Sequence, residues 1–194
     1  MVNEKKIGIT IRLIAVVALL LLGGSSFAQE KGHKREYIQA HARGESTQLG
    51  QSFDVTVSIE DYSTADDQKI LADAYNQKGN EGLFNALNKM KSKGHMAITG
   101  TMGYDVNYIR LFQNPDGSRK IRLVTTRPIT IGEAWTDSRS MDYNLSGMEV
   151  ILTADNKKNT GTLLPAFKLG LDKEKELQFD LLQNAWKMVD IRMR

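Results

Sequence analysis

YDVNYIRLFQNPDGSRKIRLVTTR, residues 104–127, holds two runs of alternating side chains around Asn114-Pro115-Asp116-Gly117. Proline presets the second position of a type I turn and glycine accepts a positive φ, so these four residues predict an antiparallel hairpin. With a three-residue turn closed by a glycine bulge, the register follows. Asn114 stands opposite Ser118, Leu111 opposite Ile121, Ile109 opposite Leu123, Asn107 opposite Thr125 and Asp105 opposite Arg127. That face is apolar near the turn and ends in an Asp105–Arg127 pair. The other face carries Tyr104, Val106, Tyr108, Arg110 and Phe112 against Lys120, Arg122, Val124 and Thr126.

Upstream, QSFDVTVSIE (residues 51–60) sets Phe53, Val55, Val57 and Ile59 against Asp54, Thr56 and Ser58, a strand with one dry and one wet face. Tyr37 to Gly44 is a candidate first strand. The period then changes from two to that of a helix. Ser63 or Thr64 caps a helix with Asp66 and Asp67 in its first turn, the sign favoured there, and Ile70, Leu71, Ala74 and Tyr75 make its stripe. Gly79 ends it. Asn80 caps a second helix with Leu83, Phe84, Leu87 and Met90 on one side, and Gly94 sits in the usual stop position. Together they predict a helical hairpin at about 64–93.

Downstream, His95–Thr101, Tyr143–Ala154, Thr160–Leu169, Leu177–Leu182 and Trp186–Met193 alternate as strands, the last two paired around Gln183-Asn184-Ala185. Ile129–Ala134 is a short edge piece. Trp186, Met188, Val189, Ile191 and Met193 belong to the core. The fold class expected is α+β: an antiparallel β-sandwich or barrel of about eight strands with an inserted helical hairpin.

Residues 1–28 carry the marks of a cleavable export signal. Lys5, Lys6 and Arg12 are its basic end, LIAVVALLLL (residues 13–22) its apolar run, and Ser26-Phe27-Ala28 its small-residue cleavage site. The run is shorter than the ~20 apolar residues a membrane-spanning helix needs, so no span is expected after cleavage. Residues 29–36 are polar and aperiodic, a mobile leader. Residues 37–194 remain as a single domain, long enough to bury its own core. There is no cysteine, which removes disulfides, thiol chemistry and a lipidated anchor. The expected address is periplasmic or extracellular, and soluble. The chain has 26 Lys+Arg and 23 Asp+Glu, and losing Lys5, Lys6, Arg12 and Glu4 with the signal leaves 23 against 22. A balance that close to zero supplies no basic stripe, so no nucleic-acid partner is expected.

The phosphate-cradling, nucleophile-elbow, zincin and calcium-loop signatures are all missing from the sequence. His33, His41 and His95 are too scattered to gather a metal, so neither metal nor cofactor is expected. Charge on the hairpin's second face is what stands out. The register sets Arg110 opposite Arg122, between Tyr108 and Phe112, with Tyr104 further along. Like charges facing each other across a sheet repel. Either an acid from a neighbouring strand, with Glu149 the candidate, or an anionic ligand must separate them. Arginine among aromatics holds carboxylates, phosphates and sugars; the bland alternative is a wet face on which arginine stems lie over tyrosine rings. Tyr104, Tyr108, Arg110 and Arg122 are therefore the candidate ligand-binding residues. Trp135, in a polar loop after Pro128, is a further contact if it is exposed.

Gly103-Tyr104-Asp105-x-x-Tyr108-Ile109-Arg110, followed beyond the turn by Ile121-x-Leu123-Val124-Thr125-Thr126-Arg127-Pro128-Ile129, resembles a group of small exported bacterial proteins. Ser140-Met141-Asp142-Tyr143, Glu149, Gly161-Thr162 and Gly82-Leu83-Phe84-x-Ala86-Leu87 share the likeness, which runs from about Ser52 to the C-terminus. It implies export and a single domain. No activity attaches to the group, so no catalytic residue comes with it. Three classes of function stay open. The first is a non-enzymatic exported protein binding a small anionic ligand, a glycan or a protein partner through Tyr104, Tyr108, Arg110 and Arg122. The second is a hydrolase or isomerase using His95, Asp142 or Glu133 near Arg127. The third is a structural or assembly protein of the cell envelope that pairs through a sheet edge.

Overall fold

The structure, a computed structural model, describes residues 34–45, 49–127, 129, 145–180 and 185–194, without the side chains of 166, 168 and 180. The signal, most of the leader, Glu133, Trp135, Asp142 and the Gln183-Asn184 turn lie outside the described residues, as does the edge piece beyond Ile129. Among the described residues the elements run β1 (Glu36–Arg43), β2 (Ser52–Ile59), α1 (Ala65–Lys89), β3 (Gly94–Ile98), β4 (Tyr104–Val106), β5 (Tyr108–Gln113) and β6 (Arg119–Thr125). Then come β7 (Leu145–Leu152), β8 (Thr160–Leu171), β9 (Leu177–Asp180) and β10 (Trp186–Met193). The leader is shorter than its composition suggests, since Glu36 already pairs with Ile59 in the ladder.

Every ladder is antiparallel. Nine strands follow the order β4-β3-β2-β1-β10-β8-β7-β6-β5, and β9 is added to β8 off this path. The two ends of the path, β4 and β5, are separated only by Asn107. The sheet therefore curls round on itself into a nearly closed barrel. Residues 104–113 supply the seam: the first half pairs with β3 and the second half with β6.

The hairpin register holds near the turn, where Leu111 faces Ile121, Ile109 faces Leu123 and Arg110 faces Arg122. It stops at Tyr108. Asp105 pairs with His95 on β3, not with Arg127, and the expected Asn107–Thr125 step is replaced by a single bond from the Asn107 N–H to the Val124 carbonyl at 3.2 Å. In an unbroken strand, residues two apart share a face. Here Val106 belongs to one buried cluster and Tyr108 to another, because the chain bends at Asn107.

The first cluster fills the barrel. It takes residues from all nine strands on the path, among them Val57, Ile109, Leu123, Val150, Trp186 and Ile191. The second lies outside, where Leu71, Leu83 and Leu87 of α1 and Leu177 and Phe179 of β9 cover Tyr108 and Val124. Burying each such side chain fully contributes about 1.5–3 kcal/mol. One half of the outer wall is thus apolar and roofed. The other half, on β1, β2 and β10, carries Gln39, His41, Asp54 and Thr56 and stands bare.

Thr64 starts α1 with a capping box: its side chain accepts from the Asp67 N–H at 3.2 Å, and Asp67 accepts from the Thr64 N–H at 2.8 Å. The two expected helices meet within α1 at a kink where Lys78 (φ −139°) and Gly79 (φ 57°) are non-helical. A straight helix would separate Ala74 from Gly82 by ~12 Å, yet a Cβ at Gly82 would run into the Ala74 carbonyl. The helix is sharply kinked, at a glycine whose positive φ an L side chain resists. An antiparallel helical hairpin is not shown. Three details depart from the sequence reading. Ile70, expected in the buried stripe, is 54% exposed; the Asn80 side-chain oxygen has no hydrogen-bond partner and caps nothing; Gly94 does not stop the helix but opens β3, packed against the Ser58 carbonyl. The last expected hairpin does not form either: β9 pairs with β8, while β10 lies between β1 and β8.

Candidate functional site

Arg110 and Arg122 do face each other, and each meets an acid of its own. Glu149 stands beside Arg122 on β7, and one of its oxygens accepts from Arg122 Nε at 2.8 Å and lies 2.6 Å from Nη2. Arg122 Nη1 donates to the Leu177 carbonyl. The guanidinium lies 5.4 Å from the Phe112 ring centre and 5.1 Å from that of Phe179. Arg122 is consequently only 7% exposed. Arg110 donates through Nη1 to the Ser63 carbonyl at 3.1 Å, and through Nη2 to Glu176 Oε1 at 3.2 Å and Gln68 Oε1 at 3.5 Å. Tyr108 is wholly buried and donates its hydroxyl to Glu176 Oε2 at 3.3 Å. Burial first, and then the nearby Glu176 charge, push its phenol well above the ordinary value.

Glu176 escaped the sequence reading because Asp172-Lys173-Glu174-Lys175-Glu176 has the composition of a solvated turn. Local hydrogen bonding turns it inward. Asp172 Oδ1 accepts from the Glu174 N–H at 3.0 Å and the Glu176 N–H at 2.8 Å, and Lys175 takes a positive φ of 60°. An aspartate opening a short turn before a strand is the only signal the sequence offered.

Tyr104 lies apart from the other three candidates. Half-buried on β4, it lines a cleft of about 600 Å³ with Asn88, Ser92, His95, Asp105, Asn107 and Arg127. The cleft sits between the C-terminal end of α1 and the β3–β4 turn. Asn107 Nδ2 donates to the Met90 carbonyl at 3.3 Å, and the Thr126 hydroxyl donates to Asn88 Oδ1 at 3.3 Å, which fixes both walls. His95 is tied at both nitrogens: Nδ1 lies 3.4 Å from Asp105 Oδ1 and Nε2 lies 3.0 Å from the Met102 carbonyl. Gly103 makes room for that ring, since a Cβ at its φ of 83° would collide with it. Arg127 is exposed at the rim, and among the described residues no carboxylate pairs with it.

A second cleft of about 500 Å³ opens beside β9, with Glu149, Thr162 and Lys187 in one cross-strand row on its floor. On the bare wall, His41 Nδ1 lies 2.9 Å from Asp54 Oδ1. Nearby Asp190 adopts a φ of 52° where β1 and β10 slip register. Among the described residues no three histidine, aspartate or glutamate side chains gather as metal ligands, and no helix is long and apolar enough to cross a membrane. No protein-family profile, curated protein or solved structure matches the chain.

Proposed function

We propose that the chain is an exported, non-enzymatic binding protein, and that a small anionic ligand sits in the cleft of Tyr104 and Arg127. Arg127 carries the proposal. It is the arginine near the candidate site whose guanidinium is not committed to a carboxylate among the described residues, and it stands at a concave site rich in hydrogen-bonding side chains. Arg110 and Arg122 are engaged by Glu176 and Glu149, which moves the expected anion contact away from them. Export rests on the basic, apolar and small-residue pattern of residues 1–28. The acid–base alternative loses support at His95, because both ring nitrogens are already engaged, Nδ1 beside Asp105 Oδ1 and Nε2 beside the Met102 carbonyl.

A charge-assisted hydrogen bond contributes about 1.5–3 kcal/mol, and 1.4 kcal/mol is a factor of ten in affinity. A thermal-shift screen of small carboxylates, phosphates and acidic sugars should give a hit. Calorimetry should then show Arg127→Ala weakening that hit about 10–100-fold at unchanged fold, since Arg127 is exposed. An identical dissociation constant for the variant sinks the site.

A further inference from the structure

Beyond Phe167, where β8 leaves its ladder with β7, the outer part of the β8–β9 hairpin is fastened to the barrel largely by side chains. β9 pairs with β8 alone among the described strands. Leu177 and Phe179 rest on the outer cluster, and four hydrogen bonds hold β9 and the turn before it. Gln68 Nε2 donates to the Glu174 carbonyl at 3.4 Å, Arg122 donates to the Leu177 carbonyl, and Arg110 and Tyr108 grip Glu176. That grip is a carboxylate socket. Two donors from β5 reach different oxygens of one carboxylate, at 3.2 Å from Arg110 Nη2 and 3.3 Å from the Tyr108 hydroxyl. Two residues apart, they share a face of the strand.

The socket is under-filled. Nε and Nη2 of an arginine form a side-on fork that suits both oxygens of a carboxylate at once. Arg122 spends both on Glu149. Arg110 spends only Nη2 on Glu176, and its buried Nε has no hydrogen-bond partner. An unpaired buried donor is costly. Glu176 is held by the turn that carries it and leaves the second prong empty, whereas a carboxylate free of the chain can settle on both.

We propose that Tyr108 and Arg110 form a carboxylate-binding site whose resident occupant is Glu176, and that a small soluble carboxylate competing for it releases β9 and the β8–β9 turn from the barrel wall. This site is separate from the Arg127 cleft and does not depend on it. Glu176→Ala in the full chain should lower the melting temperature, and acetate or formate should raise it again saturably where chloride at equal ionic strength does not. Adding Arg110→Ala should abolish that rescue. Equal effects of acetate and chloride, or rescue that survives Arg110→Ala, overturn the proposal. Should Glu176→Ala fail to fold, hydrogen exchange of the unaltered protein decides. Acetate relative to chloride should speed exchange at Gln178 and Phe179 and leave β6 unchanged; equal exchange in the two salts overturns it.

Discussion

Arg122 shows how a cation is kept in a nearly dry place. Its guanidinium is flat and weakly hydrated, so two phenyl rings can lie beside it while Glu149 neutralises it edge-on. Such a pair contributes little over an apolar pair of the same shape, but half of it is costly. Glu149→Ala should therefore destabilise the fold by about 3 kcal/mol, the lower end of the range for broken buried pairs because Glu149 is partly exposed. Arg122→Met combined with Glu149→Leu should cost far less. Urea denaturation of the two variants tests this, and a loss below about 1 kcal/mol for Glu149→Ala would mean that solvent already screens Arg122. Glu149 could be named from sequence because strand alternation places it on the same face as Arg122. Glu176 could not, because its direction depends on two backbone hydrogen bonds to Asp172 and not on any period.

At the scale of elements, the start of α1 is tied to the sheet by charge. Lys93, just before β3, lies 3.3 Å from Asp67 and 3.2 Å from Asp61. Burial works to raise the Asp67 carboxyl, but the Thr64 N–H and the Lys93 ammonium outweigh it and hold the group below its ordinary 3.8. A carboxyl with a lower pKa folded than unfolded stabilises above the unfolded value, and that contribution is lost as pH falls through the folded one. Lys93 is the mirror case. Burial lowers it, Asp61 and Asp67 raise it past 10.5, and its share vanishes only as pH climbs beyond that folded value. Asp67→Asn should thus cost about 1 kcal/mol at neutral pH, through the cap and the helix dipole. The gap to the unaltered protein should close in acid below 3.8. Urea melts across that range check it, and a gap that stays constant with pH would place the cost elsewhere. The cap itself was legible, because Thr64 and Asp67 are a short-range pattern. The division of residues 104–113 between two partners was not. A strand keeps its alternating composition whichever neighbour it bonds, and the bend at Asn107 changes faces without changing residue types.

For the whole molecule, what alternation could not supply was strand order. The pattern marks which residues turn inward, and most of the inward set is in the barrel cluster as expected, including Trp186, Met188 and Ile191. It is silent on which strand lies beside which, since β1 and β10 come from opposite ends of the described chain and are yet neighbours. Tyr37 and Arg194 exchange two backbone hydrogen bonds, each 2.9 Å long, so these residues are already side by side. Pairing so distant in sequence must close a long loop before any ladder bond repays it, which slows folding. The β5–β6 turn is the opposite case, a local connection whose Gly117 has open space around it. A circular permutant of residues 36–194 follows from this. With a short flexible linker from Arg194 to Glu36 and new ends between Asp116 and Gly117, it should keep the β-rich circular dichroism spectrum and a cooperative urea transition. New ends placed between Leu164 and Pro165 should not, because β8 there continues from its ladders with β7 and β10 into its ladder with β9. If the first permutant were unfolded and the second folded, the seam of the barrel would lie somewhere other than residues 104–113, and the strand order with it would be wrong.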